Sequence, residues 1–165
     1  MNNTILTHQQ IQHKIRRIAY QIYEVNVEES EIIIAGIDGG GLEFAKKISV
    51  VLKKITEAKI TLCKVMMDKT NPLKSGVKTS IPEADYKEKS IVLIDDVLNS
   101  GSTLAYGIQH FLKVPFKQLK TAVLVNRNHK KFPVKADYKG ISLSTSLKEH
   151  IHVVFKSKND SVYLD

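Results

Sequence analysis

The sequence predicts an α/β fold: a twisted parallel sheet with helices on both faces, finished by a small C-terminal cap. Three observations predict it. Contiguous apolar runs at Ile32–Ile37 and Ile91–Ile94 read as strands buried on both faces, which is the signature of parallel pairing. Segments with apolar residues at helical spacing alternate with such runs. No repeat, low-complexity tract or domain boundary interrupts the order, so residues 1–165 are expected to form one domain.

The elements follow in chain order. Thr7-His8-Gln9-Gln10 has the pattern of a capping box, in which the Thr7 hydroxyl accepts from a first-turn N–H and Gln10 reaches back. Ile11, Ile15, Ile18, Ala19 and Ile22 then recur at helical spacing, so a helix is expected from about Thr7 to Val25, with His13, Lys14, Arg16 and Arg17 on its other face. The β-branched run Ile32–Ile37 stops at glycines and reads as a buried strand. Leu42, Ala45, Ile48, Val51, Leu52 and Ile55 mark a second helix. Lys59–Met66 reads as a strand with Ile60, Leu62 and Val65 inward. Residues 68–89 are polar, with Pro72, Gly76 and Pro82, and are expected to be a long functional or mobile loop. The strongest strand is Ser90–Asp95, followed by a helix from Thr103 to Lys113 and a strand from Leu119 to Val125. Beyond Phe132 the chain reads as irregular, with short strands at Ile151–Phe155 and Ser161–Leu164.

Composition narrows the function. The chain is 42% hydrophobic and 25% charged, as in soluble globular proteins, and carries a net charge of +8, which suits anionic partners. The single cysteine, Cys63, excludes an intrachain disulfide and sits in an alternating stretch as a core residue. The opening MNNTILTHQQ lacks a basic start and an apolar stretch, and no segment approaches ~18 consecutive apolar residues, so a cytoplasmic protein without a membrane span is expected. Among six histidines, only His150 and His152 alternate on one strand face, and no third ligand accompanies them, so no protein-bound metal is expected.

The chemistry is concentrated in Asp95-Asp96-Val97-Leu98-Asn99-Ser100-Gly101-Ser102-Thr103, between the strongest strand and a helix. In open α/β sheets, ligands sit beyond the carboxyl ends of the strands. Ser100, Gly101, Ser102 and Thr103 supply free N–H groups and hydroxyls at a helix start, where the dipole also favours a phosphate dianion. Asp95 and Asp96 can accept hydrogen bonds from the two hydroxyls of a ribose. The glycines after the first strand do not form a Walker loop, because Leu42 follows Gly41 where Lys-Ser/Thr would stand.

The stretch IVLIDDVLNSGST resembles the phosphoribosyl-pyrophosphate (PRPP) motif of type I phosphoribosyltransferases: an apolar strand, two acids, then a Ser/Thr-Gly-x-Thr turn. The similarity covers most of the chain. Ile11, Arg17, Ile18 and Ala19, the run Thr121–His129, and Ala136-Asp137-Tyr138 resemble the subgroup of bifunctional pyrimidine-operon attenuation regulators with uracil phosphoribosyltransferase activity. The resemblance implies that Asp95 and Asp96 are catalytic residues that bind ribose hydroxyls. It places the 5-phosphate on Val97 and Asn99–Thr103, and pyrophosphate on Asp38, Gly39, Gly40 and Gly41. It puts a nucleobase, uracil first and a 6-oxopurine second, against Val125 and Asn126 near Ile141–Ser146. Mg²⁺ is implied as the companion of PRPP, and a homodimer as the assembly. The alternative it implies is an RNA-binding attenuation regulator with weak or no catalysis, contacting RNA through Arg17, Arg127, His129, Lys130 and Lys135.

The chain also departs from that subgroup. Gly40 stands where the subgroup carries arginine, and Asp38 adds negative charge where pyrophosphate is expected; one like-charge pair ~4 Å apart costs about 4 kcal/mol at an effective dielectric near 20. Asn99 and Ser102 replace tyrosine and arginine. The 68–82 loop is short and lacks the subgroup's Tyr-Arg-Asp run, leaving Asp68, Lys69 and Lys74 as its candidate charged groups.

Overall fold

The computed structural model describes residues 3–165. The first strand, β1 (Asn3–Leu6), precedes α1 (His8–Glu24), whose Thr7 cap and Gln10 form the expected reciprocal box. Ile11, Ile15, Ile18, Ala19 and Ile22 are the buried stripe of α1. Next come β2 (Glu31–Ile37), α2 (Gly40–Ile55) and β3 (Lys59–Met66). A short helix α3 (Pro72–Ser75), strand β4 (Lys78–Thr79) and helix α4 (Glu83–Tyr86) lead to β5 (Ser90–Leu98), α5 (Ser102–Phe111) and β6 (Gln118–Arg127). The chain ends with β7 (Tyr138–Leu143), β8 (Ile151–Val154) and β9 (Ser161–Leu164).

Six strands form the main sheet in the order β4-β3-β2-β5-β6-β7. All its neighbours run parallel except β4, which pairs antiparallel with β3. One face packs under α1 and α2, with Ile32, Ile34, Val92 and Ile94 meeting Ile15, Ile18, Phe44 and Ile48. The other packs under α4 and α5, with Ile33, Ile91 and Leu93 meeting Tyr86, Leu104 and Phe111. Burial on both faces explains why β2 and β5 read as unbroken apolar runs.

A second, antiparallel sheet has the order β1-β9-β8. Leu6 and Val162 join the core beneath α1 and α2, and Phe155 stacks on Phe44 with ring centroids 6.0 Å apart. The buried carboxylate of Asp160 fastens it: Gln12 Nε2 donates to it at 2.7 Å, Lys47 Nζ lies 3.3 Å away, and the Lys156 amide donates at 2.8 Å.

Four expectations need correction. In β3 the inward residues are Cys63 and Val65, while Leu62 is 37% exposed, because strict alternation puts 61, 63 and 65 on one face. The 68–89 segment is not a plain loop, since β4 adds to the sheet edge and Pro72 and Tyr86 are buried. The chain beyond Phe132 is less irregular than expected: β7 extends the main sheet as a parallel edge strand. The cap draws on both ends of the chain, because β1 pairs with β9.

Candidate active site

Strand β5 runs to Leu98, three residues past the predicted stop, so Asp95 and Asp96 lie within the strand rather than in a loop. Its alternation breaks at these two residues. Val92 and Ile94 face α1 and α2, and Val97, three residues on, packs with that same cluster. The amides follow the break: Asp96 N–H donates to Asp95 Oδ1 at 2.9 Å, and Val97 N–H to Asp96 Oδ1 at 2.8 Å. Asp95 is 4% exposed and Asp96 half-buried. Burial, then the Asp96 carboxylate, pushes the Asp95 carboxyl well above the usual carboxylate range, while the Lys69 ammonium opposes them.

Asn99–Gly101 form the turn that follows. Gly101 has φ +90°, and a Cβ there would lie 2.6 Å from Val134 Cγ2, so both conformation and space require glycine. The turn is pinned from behind, where the amides of Lys131 and Phe132 donate to Ser100 O at 2.8 and 3.1 Å. The N-cap Gly101 has no side chain to cap α5; Ser100 Oγ accepts from the Ser102 N–H at 3.2 Å, and the next N–H groups of the first turn are left for a ligand. Asp95 and Val97–Leu104 line the concavity that results. The expected phosphate-binding residues Val97, Asn99, Ser100, Gly101, Ser102 and Thr103 are therefore brought together around one hollow.

The Asp38–Gly41 turn lies alongside, because β2 and β5 are neighbours with Gly36 opposite Ile94. Gly39 has φ +97°, and α2 starts without a side-chain cap. A Cβ on Gly40 would lie 2.1 Å from Asp96 Oδ2, and one on Gly41 3.0 Å from Asp95 Oδ1. The acid pair thus rests directly on the start of α2. The charge on Asp38 is offset in a way the sequence did not reveal: Lys64, on β3, stands 3.6 Å from its carboxylate.

The expected base-pocket pair divides. Val125 is wholly buried in the core, so its side chain offers no pocket surface. Asn126 is 6% exposed; its Nδ2 donates to Ser142 Oγ at 3.3 Å, and its buried Oδ1 has no partner among the described residues.

The expected RNA-contact set does not form one surface. Arg127 is 7% exposed and its donors are taken: Nε by Thr145 Oγ1 (2.9 Å), Nη1 by Asn99 Oδ1 (3.0 Å), Nη2 by the carbonyls of Ser146 (3.2 Å) and Glu149 (2.9 Å). His129 Nε2 lies 2.7 Å from Thr145 O. Arg17 donates to the carbonyls of Lys139 and Gly140 at 3.0 and 2.9 Å. Only Lys130 and Lys135 of the set are exposed with side chains free of hydrogen bonds among the described residues; the Lys135 carbonyl accepts from Thr121 Oγ1 at 2.6 Å. The sequence names Arg127 only through the resemblance, as an RNA contact; its bond to Asn99 in the phosphate turn has no local signal.

A mostly parallel sheet whose central strand β5 carries an acid pair near its carboxyl end, between two helix starts that lack an N-cap side chain, is the arrangement of a phosphoribosyltransferase fold. Residues 1–160 match the family model of the phosphoribosyl transferase domain, and the chain belongs to that family. It is 33% identical to the bifunctional protein PyrR of Clostridium acetobutylicum, over 96% of this chain and 94% of that protein. The PyrR of Streptococcus pneumoniae is 32% identical over 91% of this chain and 88% of its own length. Among solved structures, the hypoxanthine phosphoribosyltransferase of Trypanosoma cruzi with its product IMP superposes with a TM-score of 0.79 at 15% identity, covering 98% of this chain and 93% of that one. A hypoxanthine-guanine phosphoribosyltransferase of Bacillus anthracis gives 0.70 at 23% identity, covering 86% and 83%. These two likenesses establish the fold.

Proposed function

We propose that this protein transfers 5-phosphoribose from PRPP to a ring nitrogen of a nucleobase, uracil first and a 6-oxopurine second, in nucleotide salvage. The observation that carries the reading is the Asp95–Asp96 pair set between two helix starts that lack an N-cap side chain, on adjacent parallel strands. In it, Asn99–Thr103 and the start of α5 hold the 5-phosphate, Asp95 and Asp96 take the ribose hydroxyls, and the Asp38–Gly41 turn takes the pyrophosphate. The bond from C1′ to the pyrophosphate oxygen breaks, a bond from C1′ to the base nitrogen forms, and that nitrogen loses its proton to solvent. Positive charge builds on the ribose ring in between, and the two carboxylates lie where they stabilise it. Asn126, with its open Oδ1, is the candidate to orient the base.

Mg²⁺ fits here as an ion carried by the donor. Asp96, half-buried beside the start of α2, is the residue that would hold the ion on the protein side. When bound, the ion neutralises charge on the leaving group.

A second reading, an RNA-binding attenuation regulator with weak catalysis, is supported by the likeness to bifunctional PyrR proteins and by the charge of +8. Both readings place a homodimer in the cytoplasm. Turnover with labelled uracil and with hypoxanthine separates them. The enzyme reading expects nucleotide to form and Asp96→Ala to lower the rate by at least about a hundredfold. No product with either base, beside tight and salt-sensitive RNA binding, would replace it with the regulator.

A further inference from the structure

Resting on that reading of the site, we propose that Lys69 is the cation of the pyrophosphate seat, reaching it from across the cleft in place of the side chain that Gly40 lacks. Lys69 follows β3, in the segment after Met66. Its ammonium stands over the turn between β2 and α2: a Cβ built on Gly39 would lie 3.8 Å from Lys69 Nζ. That puts a positive charge beside the turn at which α2 starts.

Three features make Lys69 the available cation. Gly40 cannot supply one, because the first atom of any side chain there would meet Asp96 Oδ2 at 2.1 Å. Of two further lysines near Asp38, Lys64 is engaged by its carboxylate and Lys78 shares a hollow with it, whereas Lys69 is the one that stands over Gly39. Lys69 itself is exposed and takes part in no ion pair among the described residues. Its direction is set by its neighbour: Asp68 Oδ1 accepts from the amides of Thr70 (2.9 Å) and Asn71 (3.1 Å), closing a turn around it.

The arrangement suits a polyanion better than a monoanion. Helix-start N–H groups and an ammonium beside the same turn offer a multiply charged ligand more than one charge-assisted contact, and Asp95 and Asp96 pack against that turn. The Lys69 charge also acts on Asp95, opposing the effects that favour its protonation. Lys69 therefore sits between the acids and the place where the donor's charge arrives.

The test is calorimetric titration of inorganic pyrophosphate and of ribose 5-phosphate, each with Mg²⁺, into the full chain and its variants. Lys69→Met is expected to weaken pyrophosphate binding roughly tenfold or more and to flatten its salt dependence, with ribose 5-phosphate affinity unchanged. Lys69→Arg should recover most of the loss, and Lys74→Met, a lysine in the same exposed segment, should cause none. In turnover, Lys69→Met should raise KM for PRPP and leave KM for the base alone. Undiminished pyrophosphate binding by Lys69→Met, or an equal loss in Lys74→Met, overturns the assignment while the ribose-phosphate site stands. Failure of the unmutated chain to bind ribose 5-phosphate removes the site and the assignment together.

Discussion

Asp95 and Asp96 are adjacent in sequence but differ in setting. Asp95 is almost fully enclosed, with one oxygen accepting the next amide, whereas Asp96 leans into the space beside Gly40. Burial first, and Asp96 second, raises the Asp95 carboxyl. A raised native value means that the fold favours the protonated form. The associated stability is complete below the ordinary carboxylate value of 3.8 and is lost as pH rises through the raised one. Asp95→Asn mimics the protonated form. Its melting temperature relative to the unmutated protein should therefore climb as pH rises above 3.8 and level off once Asp95 is ionised. A gap that narrows with rising pH would contradict this account.

At the scale of elements, Arg127 joins three of them: the end of β6, the turn after β5 and the segment before β8. Arg127→Met would leave Asn99 Oδ1, Thr145 Oγ1 and two carbonyls without their donor. A fully buried unpaired group costs about 1–3 kcal/mol, but these acceptors lie on exposed or half-buried residues that water can reach, so the expected loss for the set is about 2 kcal/mol. Urea unfolding checks the size, and hydrogen exchange should quicken at residues 144–149. Arg127→Lys should restore only part, since an ammonium lacks the guanidinium fork. This network also marks where sequence reading stopped. Helix α1 was legible from its periodicity and capping box, helix α2 from its periodicity, and strand β5 from its unbroken apolar run. Strand β1 was not: its four residues are half exposed, and it exists through pairing with β9 at the far end of the chain. The phosphate turn was readable in Ser100–Thr103, whereas the fate of Arg127 depended on residues 18 to 28 positions away.

For the whole molecule, the small β1-β9-β8 sheet joins the core through Leu6, Val162 and Phe155, and Asp160 is its polar fixed point. The carboxylate is enclosed and bound by groups from α1, from α2 and from its own turn. Removing one member of a buried charge pair costs roughly 3–5 kcal/mol, and the partial exposure of Lys47 places this case at the lower end. Asp160→Ala should lose about 3 kcal/mol in urea unfolding, with exchange protection falling first in β1, β8 and β9. Equal loss across the main sheet would mean that the two sheets unfold as one unit.

The missing side chain at Gly40 and the carboxylate of Asp96 fill one another's space. Two positions more than fifty residues apart are thus a single choice, made once by the chain. A chain that bears arginine at the first while keeping the acid at the second has to turn that carboxylate aside. Restoring that arginine here as a lone replacement would evict the acid before it added any useful charge.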